Sequence, residues 1–542
     1  IVNADGRSGT QQILDTGDWN VSTLSSISHR DFFEKAESEI YAQLARYAET
    51  AGSGSYKRKL FANDAAHGFA LIDLCSKRYE AVVMNPPFGE PAMSVKGYIR
   101  EQYVNSYVDL FASFVDRAVS NSRKTGFIGV LSTEAGFFRR TLEAWRRHVL
   151  LESSTLSHMA HFGGHMLDGA TVRTAAYVLS KQNSRDRSLF YRLMGKEGRD
   201  QRLIESIKSI RSFKNIDKEV YSISQSEFLK LPYAVFGYWC SSTLINSFVH
   251  LPQLEEMACV RSGLSTLKDF RFLRLSWEVP CKNKGLGKAW APLAKGGEYS
   301  PYYDDIHLVV CSGTGFNEIY SFPGDMRNAS CYGKIGLTYP RRTNKRLAPR
   351  IMPGGCAFGD KGPAIVDIQG SPWALLAILN SRPISYLVGL ALGASETEGG
   401  AGANSYEVGL IQRLPIPKEA LNDPILESNA NTAWACRAKK DIYDESTCSF
   451  TLPFPSTSEK NSLESHFYKI SECQNNNIHS YLKCLSAIDE QVCNLYRFSE
   501  SDWNAIQEKG GDAHMPEFMS LEQPKFKTAN ASSFISYFVG SA

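Results

Sequence analysis

Asn85, Pro86, Pro87 and Phe88 follow directly on the apolar stretch "EAVVM" and form the segment whose residue types and order could carry a reaction. The exocyclic N6 amine of adenine is a poor nucleophile, because its lone pair is delocalised into the ring. The Asn85 side-chain oxygen and the Pro86 carbonyl offer a pair of acceptors for both N6 hydrogens, which favours sp³-like nitrogen and aims the lone pair at a methyl donor. Proline fixes the backbone there and removes competing N–H donors. Phe88 is placed to stack on a base rotated out of the duplex, since the nitrogen is out of reach inside the stack. This chemistry requires no metal, acid or nucleophile. The bland alternative is a strand-ending Pro-Pro turn with an asparagine cap. The motif stands at the carboxyl end of a predicted parallel strand, where open α/β sheets bind ligands, and that position favours the chemical reading.

The elements that must position this corner alternate. The apolar spacing of Phe33, Ile40, Leu44 and Tyr47 predicts a helix, with Ser28 as a possible N-cap and Gly52 to end it. "KLFAND" and "EAVVM" read as short buried parallel strands with the helical stretch "AHGFALIDLCSKRY" between them. "YVDLFASFVDRAVSN" then reads as an amphipathic helix, "TGFIGVLST" as a buried strand, "RRTLEAWRRHVL" as a basic amphipathic helix and "TAAYVLSK" as a further strand. Such alternation predicts an α/β sheet with helices on its faces.

With 542 residues, 43% hydrophobic and 22% charged, the chain has apolar mass for about three folded units and is not a disordered polymer. A formal charge of only +3 means that any polyanion must be met by local patches. The twelve cysteines include no C-x-x-C pair, which disfavours zinc ribbons and leaves reduced thiols as the plain reading. No apolar run reaches transmembrane length and no signal stretch opens the chain, so a soluble, cytoplasmic protein is expected. His158, His161 and His165 lack a clear carboxylate or thiolate partner, so they read as structural and no metal is expected. "YPRRTNKRLAPR" gathers Arg341, Arg342, Lys345, Arg346 and Arg350 among aromatics, a candidate phosphate grip. No nuclease constellation is recognisable.

Asn-Pro-Pro-Phe after an apolar strand resembles the hallmark of amino-group DNA methyltransferases, with Asn in the first position nearer the N6-adenine than the N4-cytosine type. The succession "RYEAVVMNPPFGEP", "YVDLFASFVDRAV", "TGFIGVLST", "HMAHFGGHMLDGATVRTAAYVLSK", "RSGLSTLKDFRFLRLSWEV", "WAPLAKGGEYSPYYDDI", "YGKIGLTYPRRT" and "PGGCAFGDKGPAIV" resembles the BREX phage-defence methyltransferases of PglX type, over about residues 60 to 455. Related enzymes occur in DISARM systems and among type IIG restriction-modification proteins. The resemblance implies S-adenosylmethionine as cofactor, with Asp64 and the adjacent Ala65 near the donor's adenine; an N-cap is the alternative duty of Asp64. Met166 stands where relatives place an aromatic that covers the flipped base from the other side, and a thioether can pack on a ring face. Arg271, Arg274 and Lys295 lie in family-like segments as further DNA contacts.

The family holds its donor with a glycine-rich loop upstream of the motif, and this sequence has no convincing copy. "AGSGS" at 51–55 follows a helix and precedes a strand, the reverse of the required order. Together with Ile1 at the start, this leads to the expectation that an N-terminal segment is lost, omitted or supplied by another polypeptide. The resemblance divides the chain into a class I (Rossmann-like) methyltransferase domain over residues 1–190, a linker over 191–220, an α+β target-recognition domain over 221–417 and a helical region over 418–542. The expected reaction is methylation of adenine N6 in double-stranded DNA, in phage defence, with other subunits of the system or a missing N-terminal segment as candidate partners. The rival reading is a DNA-recognition subunit inactive by itself.

Overall fold

The structure, a computed structural model, describes residues 77–509 with residues 68 and 74, apart from 165, 167–171, 182–186, 213–218, 317–318, 320–324, 393–403, 442–446 and 451–462. The first predicted helix, the strand "KLFAND", "AGSGS" and His165 lie outside the described residues. Residues 81–120 with 124–542 cluster as one unit, which holds the described site residues discussed below; residues 1–80 with 121–123 are assigned to another.

The strands β1 (Tyr79–Met84), β2 (Ser122–Thr133), β3 (Thr155–Gly163), β4 (Thr174–Ser180), β5 (Arg187–Arg192) and β6 (Val220–Ser224) form one sheet in the order β1-β2-β4-β3-β5-β6. β4 lies antiparallel between β2 and β3, so that Tyr177 stands opposite both Val130 and Met159. β3 and β5 are parallel, and β6 is antiparallel to β5. The α/β expectation therefore becomes a mixed sheet. Ten residues link β3 to β4, too few for a crossover, so the chain must return antiparallel. The residues expected to form a linker contain the end of β5, a helix at Arg199–Arg211 and the start of β6.

Two further expectations need correction. β1 is expected to be buried, yet Val83 is 86% exposed; among the described residues β1 ends the sheet order. The helix expected from "RRTLEAWRRHVL" is instead a 3-10 turn at Arg140–Leu142 followed by a π-helical stretch at Trp145–Glu152. Its wider turn lets the consecutive residues Trp145 and Arg146 both point inward, and both are fully buried.

Helix α1 (Met93–Gln102) is followed by α2 (Leu110–Asn121), which buries Phe111, Ala112, Val115, Ala118 and Val119 at helical spacing. Phe111 meets the edge of Trp145 at 5.4 Å, and Phe137 packs against Tyr177 at 5.0 Å and Phe236 at 5.3 Å. Each such aromatic contributes about 1.5–3 kcal/mol by leaving water. The same buried cluster continues through the helices Pro372–Asn380 and Arg382–Leu392 to Ile506.

Beyond β6 the sheets shrink. One joins β13 (Ala357–Phe358), β9 (Trp290–Ala294), β10 (Leu308–Cys311) and β8 (Leu273–Leu275); the other joins β12 (Arg350–Met352), β11 (Gly336–Thr338), β14 (Ala364–Val366) and β7 (Cys259–Arg261). A second core, centred on Leu293, Val310 and Phe358, fills the space beneath them. Long helices follow at Pro424–Asp441 and Leu463–Tyr496. Among the described residues no single helix is long and apolar enough to cross a membrane.

Candidate active site and nucleic-acid interface

β1 ends at Met84 and the chain turns. Asn85 is exposed, Pro86 buried, Pro87 exposed and Phe88 half-buried, with its ring packed on the main core. Among the described residues the Asn85 amide makes no hydrogen bond. The corner is nonetheless held firmly. Gly89 N–H donates to Asp109 Oδ1 at 2.8 Å, and Leu110 N–H donates to the Gly89 carbonyl at 2.9 Å. Asp109 also accepts from the first amides of α2, so one carboxylate both caps the helix and clamps the turn. Burial raises the Asp109 pKa; the backbone donors and the Arg139 guanidinium oppose the rise without cancelling it. Arg139 lies just past β2, so the ends of β1 and β2 converge on this rim.

Behind the rim lies a buried polar cluster. Glu134 accepts from Arg173 Nε at 2.5 Å and pairs with His161 Nε2 at 2.6 Å, while His161 Nδ1 meets the Tyr238 hydroxyl at 2.8 Å. Burial pushes the Glu134 carboxyl up, but His161 and Arg173 more than reverse this and leave it below its usual value. Phe138 stacks on the His161 ring at 5.5 Å. His158 pairs with the Tyr191 hydroxyl at 3.2 Å.

Arg146 braces the segment between Glu134 and Arg139. Its guanidinium donates to the carbonyls of Gly136 and Arg139, both at 2.8 Å, and to those of Tyr233 and Ala234 at 2.7–3.2 Å. Tyr233 and Ala234 are consecutive non-glycine residues at φ of 58° and 50°, a costly conformation that turns their carbonyls toward this one cation. Burial lowers the Arg146 pKa to about 9, so it stays charged at neutral pH.

The expected DNA contacts divide into two groups. Lys295, Arg341, Arg342 and Arg350 line a cleft of about 440 Å³ together with Lys361, and Arg271 joins Lys295 and Lys361 around an adjoining cleft of about 690 Å³. Arg342 and Arg271 are exposed. Arg341 forms a bidentate pair with Glu407 at 2.8–3.2 Å, and Lys295 pairs with Asp269. Arg350 is 2% exposed, bonded to Asp304 at 3.1 Å and to the Glu298 carbonyl at 2.9 Å, which is a scaffold duty. Arg274 donates to the Phe270 and Leu273 carbonyls, Lys345 lies over the Tyr299 ring at 5.0 Å, and Arg346 is half-buried; none of the three lines either cleft. Glu407 also feels the charge of Arg140.

Met166 is 37% exposed just beyond β3, and Asp64 and Ala65 lie outside the described residues. Asp109 was missed by sequence reasoning, although an Asp before the apolar run "LFASFV" is a helix-start signal. The Glu134 cluster carried no local signal, because its partners come from distant strands.

Residues 17–167, which include this corner and β1 to β3, match the sequence model of the Eco57I restriction-modification methylase family. Among individual proteins, the chain is 28% identical over 372 residues to the adenine-specific methyltransferase BrxX of Escherichia coli O9:H4 (strain HS), covering 66% of this chain and 30% of BrxX. It is 23% identical over 377 residues to the adenine-specific methyltransferase PglX of Lacticaseibacillus casei (strain Zhang), covering 64% of this chain and 30% of PglX. The resemblance to PglX-type methyltransferases is thus borne out, and the matched part spans less than a third of the length of these relatives. The Type IIL restriction-modification enzyme MmeI, solved in complex with DNA, aligns with a TM-score of 0.45 at 13% identity, over 79% of this chain and 56% of that one.

Proposed function

We propose that this chain carries the base-binding part of a site-specific DNA methyltransferase acting on adenine N6 with S-adenosylmethionine as methyl donor. The carrying observation is Asn85, exposed and without a hydrogen-bond partner among the described residues, on a turn whose Gly89 is held by the Asp109 carboxylate and by the Leu110 N–H. Such a turn presents the Asn85 oxygen and the Pro86 carbonyl as preorganised acceptors, which lose nothing to reorganisation when the amine arrives. The exposed part of the Phe88 ring offers a face to the flipped base, with Met166 as the candidate cover from the other side. The cofactor would supply a methyl group on a sulfonium. Asp64 and Ala65, the residues that the resemblance assigns to it, are not described, so no described residue is given that duty. Arg271, Lys295, Arg341, Arg342 and Lys361 around the two clefts would meet phosphates, within a target-recognition domain that reads bases in the major groove. Marking of host DNA in phage defence is the setting that the resemblance implies.

Labelled-methyl transfer to DNA, RNA and protein offered side by side tests the reaction. Transfer to DNA alone, lost in Asn85→Ala while duplex affinity stays within about twofold, is expected, because phosphate contacts supply most of that affinity. DNA retention without donor binding in calorimetry would instead establish a recognition subunit that depends on a partner for catalysis.

A further inference from the structure

Beside the larger cleft, the chain from Ser265 to Phe272 forms a tip that neither the base pocket nor the phosphate grip explains. Phe270 is 100% exposed and Leu267 is 67% exposed, the latter at a φ of 52° that a leucine rarely adopts. The tip is braced on all sides. Ser265 exchanges two backbone hydrogen bonds with Asp325 at 2.8 and 3.0 Å, and Leu264 N–H donates to Phe358 O at 3.0 Å. Arg274 Nη1 holds the Phe270 carbonyl at 2.9 Å, Thr266 and Lys295 take the Asp269 carboxylate, and Phe272 anchors the short helix in the core at 1% exposure. Two large apolar side chains are thereby held out in water on a rigid support. Lys268, Arg271, Lys295 and Lys361 line the cleft beneath them, against Asp269 and Asp360. A protein-binding hydrophobic patch gains nothing from that ring of cations, whereas a polyanion with apolar interior faces suits it: phosphates meet the lysines and arginines, and an aromatic ring enters between bases.

We propose that Phe270, supported by Leu267, is a wedge that inserts into a base step of duplex DNA and unstacks it while the surrounding cations hold the backbone. This rests on the DNA reading given above and adds a deformation of the substrate to it. Energy spent on unstacking depends on the step, so the wedge would discriminate sequences without a hydrogen bond to a base edge.

The test uses the full chain. Duplexes with a randomised centre are captured and sequenced, and the enriched duplex is remade with 2-aminopurine at successive positions. Besides any flipped target base, at least one position should brighten on binding, and that further signal should vanish in Phe270→Ala yet persist in Phe270→Trp and in Asn85→Ala. Affinity should fall on the order of 10-fold in Phe270→Ala, the scale of one lost base–aromatic stack. Because Phe270 is fully exposed, its replacement leaves the fold intact, and an unchanged melting curve confirms this. Brightening confined to a single position that Phe270→Ala leaves bright, or tight binding by the native chain with no brightening, would overturn the wedge alone. A native chain that captures no duplex would overturn the DNA reading and the wedge with it.

Discussion

Gly362→Ala probes the backbone contact on which the cationic clefts depend. A Cβ built at Gly362 would lie 2.3 Å from Gly296 N and 2.6 Å from the Lys295 carbonyl carbon, against the 3.4 Å at which ordinary contact begins. The obstructing atoms are backbone and cannot swing aside, so the Lys295–Gly296 segment must retreat by about 1 Å. That segment leaves β9, carries Lys295 into both clefts and faces Lys361 across this contact. Overpacking of this kind costs about 1–3 kcal/mol. The variant should melt several degrees lower and lose duplex affinity as Lys295 and Lys361 are driven apart. Gly389→Ala is the control, because nothing lies within 4 Å of its Cβ position in the helix Arg382–Leu392. There the methyl group should stabilise by about 0.5–1 kcal/mol through helix propensity. Scanning calorimetry and filter binding over a salt series read both effects. A Gly362→Ala protein with native melting and native binding would refute the reasoning.

Arg342→Ala should weaken duplex binding and reduce its salt slope by about 1, as for one lost phosphate contact, whereas Arg350→Ala should destabilise by about 3–5 kcal/mol because Asp304 loses its buried counter-charge. Binding titrations over a salt series and chemical denaturation tell the two apart. Glu134→Gln should cost at least about 1.5–3 kcal/mol at neutral pH, because its amide keeps only one acceptor oxygen for the two partners His161 and Arg173. Because the folded Glu134 pKa lies below its ordinary value of 4.5, its contribution is complete above that pH and is lost as the pH falls through the folded value. The native protein should therefore lose stability on acidification more steeply than Glu134→Gln, which thermal melts across an acidic pH series would show. Arg146→Lys should be severely destabilising, since three donors on a flexible stem cannot serve four carbonyls fixed around a guanidinium; limited proteolysis should find cleavage near residues 233–234.

The legible part of this protein was local. An apolar strand followed by Asn-Pro-Pro-Phe carries the proposed acceptor chemistry in consecutive residues, and the spacing of Phe111, Val115, Ala118 and Val119 announces the helix beside it. The succession of family-like segments was equally legible, because each is a contiguous string. Nothing local marked Arg146 as the cation that joins Gly136 to Tyr233, nor Arg350 as interior while Arg342, eight positions earlier, faces solvent. A charge run reads the same whether its members meet phosphates or their own scaffold. The residue types at the acceptor corner were thus determined by the sequence alone, because consecutive covalent neighbours set that geometry. Which carboxylate clamps the corner, which arginines remain for a ligand and which apolar rings stand in water were decided only when distant segments packed, since each depends on partners tens of residues away.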